Sequence, residues 1–531
     1  MFWVYIKEYT KSNLKIGGHD THFPDFIFLK KGKGMVSPRF DHLAKNVGLT
    51  PIISYGKSWF TMKTMDKKLR EEFVKIVGRD CVISEPDAMV DYGHDEFSLR
   101  DISRLPDLVV KPRTAGQVAA VLKLADREKI PVTPRGGATG LCGGCVPSYG
   151  GVVLSLENMN RVIEIDADNQ MAVVEAGVTL HDFEEAVEDA GFYFPPHPGE
   201  ESALIGGMIA TNAGGSRAVK YGVIRNYVRG LEVVTPRGNI LSLGGKLIKN
   251  STGYNLLQLM IGSEGTLGVI TKAVIQIMTK PAVMRSLVIP FEKFDAAIET
   301  VPFLLKRIVP IALEFVPLDV IQITEEHLHK KWPCSQGQTH LLVILDAAGE
   351  EEMDRLSQAV AEAALEKGAL DVFIADTPKK QDQVLEIRSK IYEAIKSQTI
   401  EILDISVPRA EIAAHVKRVR EVAVKYDIWL PTFGHAGDGN VHTHIMKARS
   451  ENGKIVPIPE SEWREKLDQV RGELYADGRT RGGVISGEHG IGLVKKKYLA
   501  YSLSPEQIEL MKGIKRVFDP NNILNPGKIF D

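Results

Sequence analysis

The stretch Pro134-Arg135-Gly136-Gly137-Ala138-Thr139-Gly140-Leu141-Cys142-Gly143-Gly144 carries five glycines in eleven positions and follows directly on a predicted strand, Ile130–Thr133. Glycine lets a backbone approach a ligand closely and adopt positive φ. The N–H groups freed in such a loop can then meet anionic oxygens. The spacing matches neither the dinucleotide fingerprint G-x-G-x-x-G nor the P-loop G-x-x-x-x-G-K-[ST]. One loop of this kind reads equally as a tight surface turn. Two further glycine-rich stretches follow at Gly206–Gly215 and Gly262–Gly268, and the three together point to one anion-binding site.

Outward from the loop, the periodicity predicts strands at Leu108–Val110, Val152–Leu156, Val162–Ile165, Ala172–Glu175 and Val269–Ile277. It predicts helices at Lys67–Val77, Thr114–Lys129 and Leu180–Ala190. In the second of these Val118, Val121, Leu122 and Ala125 share one face. Beyond Pro281, strands such as Leu341–Leu345 mix with long helices, Glu351–Lys367 and Lys380–Lys396. The pattern predicts an α+β protein with a loop-bearing domain at 65–281, a second α+β domain at 282–500 and a closing segment at 501–531. Residues 1–64 show no sustained period and include the basic run Lys30-Lys31-Gly32-Lys33. They read as a disordered extension, as the product of a start codon placed too far upstream, or as an ordinary N-terminal arm.

The 531 residues are 44% hydrophobic and 25% charged, enough apolar material for more than one core. The net charge of −2 gives no reason to expect nucleic acid or anionic lipid as a partner. Four cysteines, Cys81, Cys142, Cys145 and Cys334, make no disulfide framework, and a reducing cytoplasm is the simplest expectation. No apolar run reaches the roughly 18 residues of a membrane-spanning helix.

Chemistry concentrates in two C-terminal clusters, Phe433-Gly434-His435-Ala436-Gly437-Asp438-Gly439-Asn440-Val441-His442-Thr443-His444 and Gly483-Val484-Ile485-Ser486-Gly487-Glu488-His489-Gly490-Ile491-Gly492. Four of the 14 histidines fall here. His442 and His444 share a strand face, and the glycine-rich turn after His435 can fold it back towards them. Two imidazoles and a carboxylate would leave open positions on a divalent metal. From spacing alone, a metal site and a set of core histidines remain equal alternatives.

The segment 106–281 resembles the FAD-binding domain of the vanillyl-alcohol oxidase / p-cresol methylhydroxylase type, with its two subdomains. The resemblance is carried by the first loop, Pro198-Gly199, Ile205 to Gly215, Lys220-Tyr221-Gly222 and Gly262 to Gly268. Within that type, nearly everything from Met65 to Asp531 is similar to the FAD-dependent D-2-hydroxy acid dehydrogenases, which act on D-lactate, glycolate or D-2-hydroxyglutarate. The resemblance implies FAD contacts from Arg135, Gly136, Gly137, Thr139, Gly140, Gly143 and Gly144 in the first loop. It adds Pro198, Gly199, Gly206, Gly207, Asn212, Gly214, Gly215, Tyr221 and Gly222, then Glu264, Val269 and Ile270, and finally Asn525 in the closing segment. Ala138 stands where some relatives attach FAD covalently to a histidine, so non-covalent FAD is expected. Cys142 and Cys145 form a C-x-x-C that reads as small packing residues rather than a redox pair or half a metal site.

The resemblance further implies a cap domain in which His435, His442 and Glu488 hold zinc or a similar divalent metal and His489 is the catalytic base. Arg388 is the clamp for the substrate carboxylate, and Asn440 helps to position the substrate. The residues alone would leave Arg388 on a solvated helix face. In the D-2-hydroxyglutarate enzymes a lysine falls where this chain has Leu403, and an asparagine where it has His444. Those departures favour a shorter acid, D-lactate or glycolate. The chain has no cysteine set for an iron–sulfur centre, so electrons are expected to pass to a partner: an electron-transfer flavoprotein, an iron–sulfur subunit or a quinone. Two other readings stay open: a metal-dependent hydrolase whose loops bind a nucleotide, and a flavin-binding subunit without substrate chemistry.

Overall fold

The computed structural model describes residues 65–451 and 454–531. The expectations for residues 1–64 lie outside the described residues. Four strands form the first sheet: β1 (Val82–Ile83), β2 (Leu108–Val110), β3 (Val132–Arg135) and β4 (Val152–Ser155), in the order β1-β2-β4-β3. The β2, β4 and β3 strands run parallel. Every residue of β2 and β4 is buried, as expected for parallel strands covered on both faces. The crossover helix Ala115–Glu128 begins at Thr114, whose side chain accepts from Gln117 N, and ends at Lys129 in the left-handed region.

The strand before the first loop runs two residues further than its pattern predicts, through Pro134 to Arg135. Proline cannot donate to a ladder, but β3 is the outer strand of this sheet, where that is tolerated. Its free side is met by the chain's end, since Val132 N donates to Ile523 O and Asn525 N donates to Val132 O.

A second, antiparallel sheet holds β5 (Val162–Asp166), β6 (Met171–Glu175), β7 (Val228–Val234), β8 (Ile240–Gly244) and β9 (Val269–Gln276), in the order β5-β6-β9-β7-β8. The two sheets share one hydrophobic core with the helices Lys67–Val77, Ala115–Glu128 and Leu180–Asp189. Val269 and Ile270 open β9 and are buried in that core.

Beside a separate two-stranded ribbon at Ala448–Glu451 and Lys454–Pro457, the second half is built on a seven-stranded antiparallel sheet. Its strands are β10 (Val283–Phe291), β11 (Ala312–Pro317), β12 (Thr339–Ala347), β13 (Phe373–Ala375), β14 (Thr399–Ser406), β15 (Thr432–His435) and β16 (Asn440–Met446), ordered β13-β10-β12-β11-β15-β16-β14. One face packs on the long helices Phe294–Leu305, Glu350–Glu366, Ile412–Tyr426 and Glu460–Thr480. The other face is partly covered by the helices Leu318–Leu328, Pro378–Ser389 and Ile391–Ile395. The remainder of that face carries polar side chains. Among the described residues no helix is long and apolar enough to cross a membrane.

Candidate active site

Registry decides which side chains meet. Phe433 pairs with His442 and His435 with Asn440 across β15 and β16, while Asp404 pairs with His442 and Ile402 with His444 across β14 and β16. Directly paired residues share a face, and residues two apart on a strand share it too. This second face of the sheet therefore presents Phe433, His435, Asn440, His442, His444, Ile402 and Asp404 together, all of them buried. Leu403 has the opposite parity. It is fully buried in the core beneath the sheet. Its neighbour Ile402 lies on the site face instead.

Three donor atoms converge. His435 Nε2 and His442 Nε2 are 3.3 Å apart. Glu488 Oε1 lies 3.4 Å from His442 Nε2 and 3.7 Å from His435 Nε2. A tetrahedral ion with bonds of 2.0–2.1 Å needs donors roughly 3.4 Å apart, so this triangle fits one corner set of such an ion. His489 completes the group. Its ring stacks on His442 with centroids 5.3 Å apart, and its Nε2 is 3.8 Å from Glu488 Oε1. Burial pushes the His489 pKa down to about 4, so its imidazole is neutral near pH 7.

Two buried carboxylates, neither anticipated from the sequence, hold these groups. Glu314 on β11 accepts from His435 Nδ1 through Oε1 at 2.5 Å and from Arg388 Nη2 through Oε2. Burial would raise its pKa, but the charges of His435 and Arg388 outweigh it and bring it to about 2. Burial would likewise lower the His435 pKa, and the Glu314 carboxylate raises it well above its ordinary value. Asp404 Oδ2 accepts from Ser486 Oγ at 2.8 Å, Glu488 N at 3.1 Å and His489 N at 2.8 Å. The ammonium of the buried Lys495 lies 3.4 Å from the same oxygen. Asp404, His442, Glu488 and His489 also form a compact donor group. Asp404 Oδ2 is taken up by Lys495 and three donors, while its Oδ1 is buried without a partner 4.0 Å from His442 Nδ1. Each hidden carboxylate had one sequence signal, an acidic residue with apolar neighbours on both sides: Leu313-Glu314-Phe315 and Leu403-Asp404-Ile405.

The charge of the group admits a cation. Glu314, Asp404 and Glu488 outnumber Arg388 and Lys495 by one charge, which either a proton on His435 or a cation among the three donor atoms balances. Asn440 backs the loop that carries Glu488, since a Cβ on Gly487 would come within 2.6 Å of its Oδ1. Arg388 lies not on a solvated face but 17% exposed against Glu314, with its guanidinium over the Phe433 ring.

The glycine loops sit backbone to backbone. A Cβ on Gly136 would meet Gly207 Cα at 3.5 Å, and one on Gly137 would meet Ser202 O at 2.8 Å. Gly206 lies against Ala176, Gly215 against His197 and Pro198, and Gly222 against Asn226. A Cβ on Gly144 or Gly199 would meet nothing within 4 Å, so these strips of backbone face open space. Asn212, in the left-handed region, and Asn525 each keep a buried Oδ1 without a partner. Asn525 Nδ2 donates to Gly144 O and Glu264 O, tying the first and third loops together. Open backbone and unpaired buried amides suit a polar, anionic cofactor. Arg135 serves the loop differently: its guanidinium donates to Asp91 O and His94 O. Around it, Gly140 O accepts from Glu96 N and Gly143 N donates to Asp95 Oδ2, with Thr139 half-buried between them. Tyr221 reaches across to Asp346 Oδ2 on β12. Cys142 and Cys145 are not bonded to each other, and burial pushes the Cys145 thiol up to about 11.

Loops and pocket touch. A Cβ on Gly214 would lie 2.7 Å from Glu488 Oε2, and the Glu264 carboxylate accepts from Ile491 N and Gly492 N just beyond His489.

This is the architecture of an FAD-linked oxidoreductase. Residues 106–244 match the FAD binding domain family and residues 280–529 match the FAD linked oxidases, C-terminal domain. D-lactate dehydrogenase of Archaeoglobus fulgidus is 47% identical over 80% of this chain and 91% of its own length. Glycolate oxidase subunit GlcD of Bacillus subtilis is 37% identical over 87% and 97%. The fold matches that of 4-ethylphenol oxidase from Gulosibacter chungangensis with a TM-score of 0.69 at 21% identity, covering 87% of this chain and 96% of that one. The chain belongs to the FAD-dependent D-2-hydroxy acid dehydrogenase family, with the vanillyl-alcohol oxidase / p-cresol methylhydroxylase fold. With an FAD-binding domain present, the nucleotide-hydrolase alternative loses its premise.

Proposed function

We propose that this protein oxidises a D-2-hydroxy acid to the 2-oxo acid, with D-lactate or glycolate preferred to D-2-hydroxyglutarate, and passes the electrons to a partner. One observation carries the reading: a neutral imidazole, a metal-type donor triangle and a guanidinium meet on one sheet face, against the loops of the FAD-binding domain. When bound, non-covalent FAD supplies the hydride acceptor and zinc or a similar divalent ion on His435, His442 and Glu488 supplies a Lewis acid for the hydroxyl.

The chain's own residues do the rest. Arg388 receives the substrate carboxylate; its Nε is buried and has no hydrogen-bond partner, so a donor is free. His489 accepts the hydroxyl proton at Nε2. Loss of that proton and of a hydride from the same carbon leaves the 2-oxo acid. Asp404 holds the backbone of Glu488 and His489, which keeps the base beside the donor triangle. Asn440 supports the loop from below.

Substrate length follows from what lies further along the face. Ile402, Phe433 and His444 come next, and Tyr392 stands 5.9 Å from the His444 ring. Burial, then the positive charge of its neighbours, holds His444 uncharged. Ile402, Phe433 and His444 offer no charge to a second carboxylate, and the Lys396 ammonium, 5.7 Å from the Tyr392 ring centre, is already paired with Glu96, which supports a monoacid. The acceptor expected from the family is an electron-transfer flavoprotein, an iron–sulfur subunit or a quinone.

The test is an anaerobic absorption spectrum of the purified, FAD- and zinc-loaded protein before and after each of D-lactate, glycolate and D-2-hydroxyglutarate. Bleaching of the flavin by D-lactate or glycolate is the expected result. A yellow protein that no member of a broad 2-hydroxy acid panel bleaches is a flavin carrier without this chemistry, and the reading fails.

A further inference from the structure

Glu314 stands in the middle of the cap sheet and is 1% exposed. A carboxylate buried so deeply costs several kcal/mol unless its oxygens are met by charge. Here each oxygen meets a different partner. Oε1 accepts from His435 Nδ1 at 2.5 Å, and Oε2 accepts from Arg388 Nη2. The two partners reach it from separate elements, His435 from the neighbouring strand β15 and Arg388 from the helix Pro378–Ser389.

The consequences differ at the two ends. A proton held on His435 Nδ1 fixes the tautomer, so that Nε2 turns its lone pair towards His442 Nε2 and Glu488 Oε1. At the other end the bond ties down one arm of the guanidinium and leaves Nε unpaired. A 2-hydroxy acid carries its hydroxyl and carboxylate on adjacent carbons. The protein groups that meet these two functions must therefore stand at one fixed separation. A single rigid carboxyl group touches both.

Resting on the function proposed above, we propose that Glu314 is a positioning residue that sets this separation. By gripping His435 on the hydroxyl side and Arg388 on the carboxylate side, it selects 2-hydroxy acids over 3-hydroxy acids. A 3-hydroxy acid places one more methylene between the two functions, and a misplacement of about 1 Å costs on the order of a hundredfold in rate. Nothing else among the described contacts of Arg388 or His435 joins the two.

The experiment compares wild type, Glu314→Gln and Glu314→Asp, each loaded with FAD and zinc. Glutamine removes the charge. Aspartate keeps it but is one methylene too short to reach both partners. Two quantities are read: the ratio of kcat/KM for D-lactate to that for 3-hydroxybutyrate, and the zinc affinity of the metal-free proteins by competition with a chelator. The expected result is retained FAD, a ratio lowered by at least about tenfold with most of the loss in KM, and zinc binding weakened by about 10–100-fold. Should Glu314→Gln not fold, Glu314→Asp carries the same test with the charge in place. A variant that unfolds at lower temperature yet keeps both the wild-type ratio and the wild-type zinc affinity overturns the proposal, because Glu314 would then serve only the fold. A wild-type flavin that no 2-hydroxy acid bleaches overturns the function itself, and the selectivity falls with it. Bleaching in the wild type beside an unchanged ratio in both variants overturns Glu314 alone.

Discussion

The loop region and the histidine pocket are built on opposite plans. Around Pro134–Gly144 the material is backbone. A Cβ on Gly136 would be in van der Waals contact with Gly207 Cα, and carbonyls and amides of three loops define the space. In the pocket the material is side chains drawn from β11, β14, β15, β16 and the loop 486–492, and two buried carboxylates hold them in register. The difference teaches where each region is vulnerable. The first is closed to an added atom at Gly137 and Gly206, where a Cβ would come within 2.8 Å of Ser202 O and 2.6 Å of Ala176 Cβ. The second tolerates no lost charge, because a buried ion left without its partner has no water to turn to.

Four changes probe that contrast, from the largest expected effect to the smallest. His489→Ala should slow anaerobic flavin reduction by D-lactate by about 10²- to 10⁴-fold and leave FAD in place. Stopped-flow absorbance reads the rate, and loss of FAD in this variant would show that the two regions are not separable. Asp404→Asn should destabilise the protein by about 3–5 kcal/mol, since it leaves Lys495, 1% exposed, without a charged partner. A thermal midpoint unchanged from wild type would contradict the charge-built pocket.

Lys528 tests the loop region from the other side. It donates to Val146 O just past the first loop, and burial pushes its pKa down to about 8. An unfolded lysine titrates near about 10.4, so between those values the unfolded chain binds more protons and stability rises with pH, by up to about 3 kcal/mol. Thermal midpoints taken at about pH 7.5 and about pH 10 should show that rise against the background of Lys528→Met, which lacks it. Equal slopes would mean that this charge does not matter to the loop. Last, Gly137→Val places a side chain 2.8 Å from Ser202 O. Overpacking of about 1–3 kcal/mol predicts FAD binding weakened by roughly tenfold to a hundredfold, read by fluorescence titration of the apoprotein. Full FAD affinity in this variant would break the view of the loops as a backbone cradle.

The two regions were also unequally legible in the sequence. Glycine loops announce themselves because the constraint is local: a close backbone approach requires a missing side chain at that very position. The histidines and Glu488 were readable as two dense clusters, and Arg388 only through resemblance. Glu314 and Asp404 were passed over, although each stands between two apolar residues of its strand, because what pairs them lies on other elements. The side of the sheet that Leu403 takes was not legible for a related reason. A strand's residues alternate, but which parity faces the site depends on its registry with β16. The extra residues of β3 came from its place at the edge of the sheet, which a lone X-Pro step does not disclose.

The sequence by itself determined the family, the glycine-rich loops and the residue types that gather in the C-terminal half, because these depend on short-range spacing and on the chemistry of single side chains. The tertiary structure decided which of those residues meet. It brought His435 and His442 within 3.3 Å, added Glu488 from a loop more than forty residues on, and set Glu314 and Asp404 beneath them. Strand order and registry are long-range pairings, and burial turns them into electrostatics. A carboxylate becomes a clamp only where the fold removes water from around it and supplies a cation or an N–H in its place.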